Sequence, residues 1–446
     1  MQSAVLQLPF GHTHLSVEVL TANLLGVITP LPFAAAGDEN ALVHAALERP
    51  IGTPRLRDVA RAGQTVAIVI SDLTRPCPSE RLLPLILEEL GAAGTPDDDV
   101  TIVAALGLHR PMSPAELEAA VGTDVYRRVR VLNHDPDDTV CLGVTSAGTP
   151  VEFFRPVVEA DLRVCLGNLE LHYFAGYSGG AKAIFPGCAS ERAVRANHAM
   201  MVRPEATAAR IEGNPVRADL EEAVAALGVD FILNVLTDGE KRIVGAVAGG
   251  VTAAHRRGCQ MVAERGVQAI PRRADIVAAS AGGYPKDVNL YQAQKALDNA
   301  ACAVRDGGVI VLVAECPEGL GNPTFEAWMR EATCADEILH RIQREFVLGG
   351  HKAAAIAAVL RRARVLLVSA LAPDAARYSG MIPHTDAGEA LAEAFATVGA
   401  NAQVLVLPQA GSVLPLPVGE GSRAGNPARP GYGTNTSERW TRGNGT

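Results

Sequence analysis

The stretch Val66-Ala67-Ile68-Val69-Ile70-Ser71-Asp72-Leu73-Thr74-Arg75-Pro76-Cys77-Pro78-Ser79 decides the fold. Its first six residues are apolar and largely β-branched, which reads as a buried strand. Two prolines then punctuate a loop, and Glu80 to Leu90 reads as an amphipathic helix. The same alternation recurs downstream. Val100–Leu106, Arg128–Leu132, Leu162–Leu166 and Phe231–Val235 are further strand candidates, with a helix expected over Pro114–Val121. Strand, helix, strand at this spacing predicts α/β architecture with mainly parallel sheets. Upstream, Val5 to Leu20 reads as a hairpin about Gly11.

A second α/β series starts near residue 274. Strands are expected at Ile276–Ala279, Val309–Val313, Val365–Ser369 and Val404–Leu407. Helices are expected at Leu290–Val304, Phe325–Met329 and Ala354–Arg362. The helical Val251–Val267 stretch would connect the halves, with Pro271-Arg272-Arg273 as punctuation. The expected division is 1–268 as an N-terminal cofactor-binding catalytic domain and 269–409 as a C-terminal α/β domain, with the active site in a cleft between them. Residues 410–446 are rich in Gly and Pro and lack periodicity, so a disordered tail is expected there. Asn435-Thr436-Ser437 and Asn444-Gly445-Thr446 match a glycosylation pattern that has no meaning without a secretory signal.

Composition excludes several classes. The chain has 446 residues, 48% of them hydrophobic and 20% charged, an ordinary globular balance. Its net charge of −9 argues against a nucleic-acid binder. No apolar run is long enough to span a bilayer, and no signal peptide is evident at the start. The eight cysteines form no C-x-x-C pair and the eleven histidines no zinc spacing. Reduced thiols in the cytoplasm are expected.

The chemistry concentrates in five clusters. Asp72, Thr74 and Arg75 follow a strand, where ligands of open α/β sheets bind. An arginine there suits a carboxylate or phosphate, although Asp72 could equally cap the next helix. Gly107-Leu108-His109-Arg110 follows the next strand and offers a proton-transfer histidine, or an ordinary loop histidine. Ser113-Pro114-Ala115-Glu116 after it fits a helix cap. His134 also follows a strand, but its neighbours suggest a structural turn. The third cluster runs from Gly167 to Gly187: His172 precedes a loop, Ser178-Gly179-Gly180-Ala181-Lys182, whose glycines could let backbone N–H groups converge on a phosphate. It is neither a Walker A motif nor a dinucleotide fingerprint, and its lysine could anchor a cofactor covalently. A plain glycine-rich loop is the bland alternative. Fourth, His198 sits on a helix expected over Glu191–Met200, as a surface residue or a metal ligand. Fifth, Tyr291, Gln292 and Lys295 share a face of the helix that follows Gly282-Gly283, which could also be an exposed polar helix start.

Together these clusters resemble the lactate racemase family that uses a nickel-pincer nucleotide. The resemblance rests on Asp72-Leu73-Thr74-Arg75-Pro76, Gly107-Leu108-His109-Arg110, His172 with Ser178-Gly179-Gly180-Ala181-Lys182, His198, and Tyr291-Gln292-x-x-Lys295. It covers most of residues 1 to 409. It implies a racemase or epimerase acting at C2 of a small 2-hydroxy acid, with cofactor-synthesis enzymes as partners. The implied cofactor is a pyridinium mononucleotide with two sulfur-containing arms that bind nickel, attached to Lys182 through a thioamide. His198 would supply a nickel ligand. Asp72, Thr74, Ser178, Gly179 and Gly180 would cradle the phosphate and ribose. His109 and His172 would be the acid/base pair. Arg75 and Lys295 would hold the substrate carboxylate, and Gln292 and Tyr291 would orient it. Tyr173, Phe174 and Tyr177 are pocket candidates. The alternatives are a nicotinamide-dependent 2-hydroxy acid dehydrogenase and a non-catalytic nucleotide or phosphate binder.

Overall fold

The computed structural model describes residues 2–31, 38–75, 77–238 and 240–418. Pro76 of the resemblance and the two glycosylation patterns lie outside them. The chain is mixed α/β with mainly parallel sheets, and it divides into two compact units. One, here the inserted unit, comprises residues 38–201 and 206–264. The other, the flanking unit, is built from residues 2–31, 202–205 and 265–418.

The inserted unit holds a six-stranded sheet in the order Ile243–Gly249, Phe231–Thr237, Leu162–Asn168, Val66–Ser71, Val100–Ala105, Arg130–Asn133. All neighbours are parallel except the antiparallel edge strand Ile243–Gly249. Val66 to Ile70 are buried on both faces, because helices cover the sheet as βαβ connections require. The Ser79–Ala92 helix lays Leu82, Leu83, Ile86 and Leu90 on the sheet. Each such fully buried side chain contributes about 1.5–3 kcal/mol. The Pro114–Val121 helix starts at Ser113 with a reciprocal capping box to Glu116.

Strand order reverses between Val66–Ser71 and Leu162–Asn168. Successive strands run outward one way from Val66–Ser71 through Val100–Ala105, then the other way from Leu162–Asn168 through Phe231–Thr237. That reversal opens a crevice beyond the carboxyl ends of the two strands. The segments emerging there are residues 72–75 and 169–183, from two of the five sequence clusters.

The flanking unit has its own six-stranded, wholly parallel sheet: Ile382–His384, Arg364–Val368, Val304–Val313, Ala274–Ser280, Val404–Leu407, Leu24–Val27. Its edge strand comes from the start of the chain. The hairpin of Ser3–Phe10 with Thr13–Leu20 packs Leu8, Val17 and Val19 into the same core. A single cut at 268/269 would assign these residues to the first half, whereas they belong to the flanking unit. The reason is physical: among the described residues Leu24–Val27 finds its ladder beside Val404–Leu407.

The expected tail needs correction at its beginning. Leu414–Pro417 is a buried strand pairing in parallel with Val267–Ile270. Val413, Leu414 and Leu416 are buried, so this short run does have apolar surface to hide despite its two prolines. Residues 419–446 lie outside the described part.

Candidate active site

The Val66–Ser71 strand ends by turning Asp72 inward, where it is 7% exposed. Its Oδ1 accepts from Thr74 N–H at 3.0 Å and from Thr74 Oγ1 at 2.6 Å. Its Oδ2 accepts from Nδ1–H of His109, delivered by the loop after the neighbouring strand. Burial alone would raise the Asp72 carboxyl. The bonds from His109 and Thr74, with the charges of His109 and Arg75, outweigh it and hold the group below its ordinary range. A carboxylate on Nδ1 fixes the His109 tautomer and leaves Nε2 to face a reactant.

Across the crevice, the loop after Leu162–Asn168 carries His172 and Lys182. Ala175 N–H donates to His172 Nδ1 at 3.3 Å, so the neutral ring carries its proton on Nε2. Lys182 Nζ lies 3.4 Å from that Nε2. Burial, with the positive charges of Arg75 and Arg217, pushes the lysine well below its ordinary value. Burial, then Lys182, Arg75, His198 and Arg217, likewise lower His172. Both shifts disfavour the charged forms, and the lysine, once free of its proton, has a lone pair that can accept from Nε2–H.

Phe174 gathers these residues. Its ring meets His172 edge-on at 4.6 Å and His198 at 4.9 Å, and Lys182 Nζ sits 5.7 Å from its centroid. His198 Nδ1 lies 3.0 Å from Asn197 Oδ1, on the Glu191–Ala199 helix. Arg75 reaches Glu170 only at 3.8 Å, too long for a hydrogen bond.

The glycine loop is held by its surroundings. The Ser178 hydroxyl donates to Asn168 O at 2.8 Å and accepts from Glu170 N–H at 2.9 Å. Gly180 N–H donates to Asn234 Oδ1 at 2.8 Å. These groups, expected from sequence to face a phosphate, are engaged within the protein here. Gly180 has φ +57, and a Cβ there would lie 2.7 Å from the His255 ring. His134 is buried and edge-on to Phe154, which makes it part of the packing.

Asp72, Thr74, Arg75, His109, His172, Ser178, Gly179, Gly180, Lys182 and His198 all belong to the inserted unit. Tyr291, Gln292 and Lys295 belong to the flanking unit, on the Leu290–Ala303 helix capped by Asn289. That helix follows the central strand Ala274–Ser280, beside the order reversal of the second sheet. Gln292 and Lys295 are exposed. Tyr291 meets Phe325 edge-on at 5.8 Å.

Residues 10–209 match the model of the lactate racemase N-terminal domain and residues 269–414 that of the C-terminal domain. A lactate racemase from Thermoanaerobacterium thermosaccharolyticum is 34% identical, over 92% of this chain and 99% of its own length. The chain belongs to the lactate racemase family. A second family member, the lactate racemase of Lactiplantibacillus plantarum, is 31% identical over 90% of this chain and 97% of its own. The solved lactate racemase apoprotein from T. thermosaccharolyticum superimposes with a TM-score of 0.85 at 33% identity, covering 92% of this chain and all of that one. A Thermotoga maritima protein shares the fold alone, with a TM-score of 0.62 at 19% identity. Like its family, the chain is an isomerase of the racemase class.

The residues present fit the family cofactor implied by sequence. Lys182 is a half-buried amine whose charged form burial disfavours, and an amine reacts covalently through its uncharged form. His198 meets the same phenylalanine, Phe174, that Lys182 approaches. Among the described residues, no three His, Cys, Asp or Glu side chains gather as a metal site. One histidine suits a metal whose other donors arrive with an organic group.

Sequence reading missed Glu170, Asn234, Arg217 and His255. Asn234 lies mid-strand and Arg217 and His255 lie on helices, where periodicity marks them only as helix or strand positions.

Proposed function

We propose that the chain racemises lactate or a closely related small 2-hydroxy acid at C2, with a nickel-pincer nucleotide carried on Lys182. One observation carries the reading: two imidazoles on the loops about one crevice, one held by Asp72 and the other beside the half-buried Lys182. When bound, the cofactor supplies a site that takes the C2 hydride and gives it back.

The protein's own residues handle the proton. His109, with Nδ1–H given to Asp72, takes the 2-hydroxyl proton at Nε2, and the carboxylate stabilises the imidazolium that forms. The resulting 2-keto acid is planar and turns its other face. His172, entering that step as the imidazolium, gives its Nε2 proton to the C2 oxygen and is left neutral; for the opposite enantiomer His172 starts neutral and His109 charged. Acylation of Lys182 abolishes its charged form, one of the causes that lower His172, and so makes the imidazolium easier to form. Arg75, loosely paired with Glu170, would exchange that partner for the substrate carboxylate. Lys295, Gln292 and Tyr291 would complete carboxylate binding. His198 would ligate nickel, while Thr74, Ser178, Gly179 and Gly180 shape the loops that receive the nucleotide.

Support for racemisation over a nicotinamide dehydrogenase or a plain nucleotide binder comes from the two named lactate racemases, matched nearly end to end. The cysteines form no disulfide among the described residues, which supports a cytoplasmic location. No described helix is long and apolar enough to cross a membrane.

The test uses protein produced with the cofactor-synthesis enzymes. Intact-mass analysis should find an adduct on Lys182 that K182A lacks. Chiral chromatography should show lactate interconversion falling by at least about 10³-fold in H109A and in H172A. Full turnover in both directions in either variant would refute the two-base assignment, and a fully active, unmodified protein would refute the attachment.

A further inference from the structure

The loop from His172 to Lys182 has no sheet of its own beyond the two-residue pairing of Leu171–His172 with Gly176–Tyr177. Its buried carbonyls still need donors. From Phe174 to Ser178 every carbonyl finds one. Asn214 Nδ2 donates to Phe174 O at 2.9 Å. Arg217 donates through Nε to Ala175 O at 3.1 Å and through a terminal nitrogen to Tyr177 O. Ala209 N–H donates to Gly176 O at 3.1 Å. His255 Nε2 meets Ser178 O at 2.9 Å.

The side-chain donors are themselves linked. Asn214 caps the Pro215–Leu227 helix, and Arg217 and Glu221 follow at spacings of three and four, on one face. Glu221 meets Arg217 at 3.7 Å and accepts two bonds from Arg256, at 2.8 and 2.7 Å. Arg256 then donates to His255 Nδ1 at 3.1 Å. A guanidinium can only donate and a carbonyl can only accept, so His255 is neutral with its proton on Nε2. Its burial, which pushes it down to about 3, agrees.

Arg217 is fully buried, on a helix whose other buried residues are Val216, Asp219, Leu220, Ala223 and Val224. Burying a guanidinium is costly, and an apolar residue of similar volume would serve simple packing as well. We infer that Asn214, Arg217, Glu221, Arg256 and His255 form a positioning network that clamps the carbonyls of residues 174–178 and so fixes His172 and Lys182. None of the five is a catalytic residue. Gly180 is part of the fit, since any side chain there would strike the His255 ring that holds Ser178.

The positional claim stands apart from the proposed reaction; only its catalytic consequence rests on that reading. The test is hydrogen–deuterium exchange on the full-length protein, read over residues 174–183. H255A and E221Q should speed exchange there about tenfold or more while the Val66–Ser71 strand keeps its protection. H255Q, whose side-chain amide can still donate to Ser178 O, should restore slow exchange. In cofactor-loaded protein the same two variants should lower Lys182 adduct yield and kcat, with KM for lactate nearly unchanged. If H255A destabilises the whole unit, E221Q against the parent and H255Q carries the comparison. Unchanged exchange over 174–183 in the folded variants would overturn the network. A loosened loop in a protein whose parent racemises no 2-hydroxy acid would uphold the network and reject the reaction.

Discussion

The pairing of Asp72 with His109 offers a sharp test, because Asp72→Asn changes almost nothing but one charge and two hydrogens. The carboxylate accepts three bonds: two from Thr74 and one from His109. An asparagine has one acceptor oxygen, and Thr74 offers two donors to it. The amide NH2 then faces His109 Nδ1, which must become an acceptor. The ring proton moves to Nε2, and the nitrogen that would take the substrate proton is already occupied. Two costs combine. A hydrogen bond to a charged group is worth about 1.5–3 kcal/mol, and recovering the productive tautomer against the amide costs a similar order. The sum, discounted because the His109 side chain is 38% exposed, is about 3–4 kcal/mol. At 1.36 kcal/mol per decade, this corresponds to a loss of about 10²- to 10³-fold in kcat/KM. Because a racemisation has an equilibrium constant of one, kcat/KM must fall equally from either enantiomer, which provides an internal check. The assay is chiral chromatography of lactate with cofactor-loaded D72N, with Lys182 adduct mass verifying equal loading. Activity within about tenfold of the parent at equal loading would show that Asp72 does not set the His109 tautomer.

Two further outcomes follow from geometry. Gly180→Ala puts a Cβ at φ +57 and 2.7 Å from the His255 ring, so a loss of about 1–3 kcal/mol is expected in denaturant unfolding. An unchanged midpoint would refute the crowding. Glu89 is buried, which alone would raise its carboxyl, but bonds from Arg57 and Arg55 hold it below the usual range. A depressed carboxyl stabilises the fold above its unfolded pKa of about 4.3, and that contribution is lost as pH falls through the folded value. E89Q should therefore cost about 2–3 kcal/mol at neutral pH, less than a fully buried pair because both arginines are about one-third exposed. E89Q should also narrow the drop in Tm between about pH 6 and pH 3. An identical drop in parent and variant would refute this account.

The strands were legible because their runs are β-branched and buried on both faces. Val66–Ser71 and the Pro114–Val121 helix have the bounds that sequence predicts. What the sequence could not show was partnership. Leu24–Val27 is apolar enough for an edge strand, but nothing local names Val404–Leu407 as its neighbour. Leu414–Pro417 reads as loop because Pro415 and Pro417 cannot donate to a ladder, yet a two-stranded edge tolerates them. The site divides in the same way. Residue types at strand ends marked Asp72, His109, His172 and Lys182. The bond from His109 to Asp72 depends on adjacent strands, and an arginine among the buried residues of a helix looks like a defect until its acceptors are seen. The marked hydroxyl of Ser178 turned inward because Asn168 and Glu170 leave backbone groups in need of it.

The placement of the first two dozen residues bears on how the chain is made. Residues 3–27 leave the ribosome several hundred residues before their sheet partner Val404–Leu407. The entire inserted unit can fold in between, as a local closed task. Until then Leu8, Val17 and Val19 have no core to enter, and the free edge of Leu24–Val27 is open to wrong pairing. The chain therefore carries an aggregation hazard in these strands until Val404–Leu407 has been made.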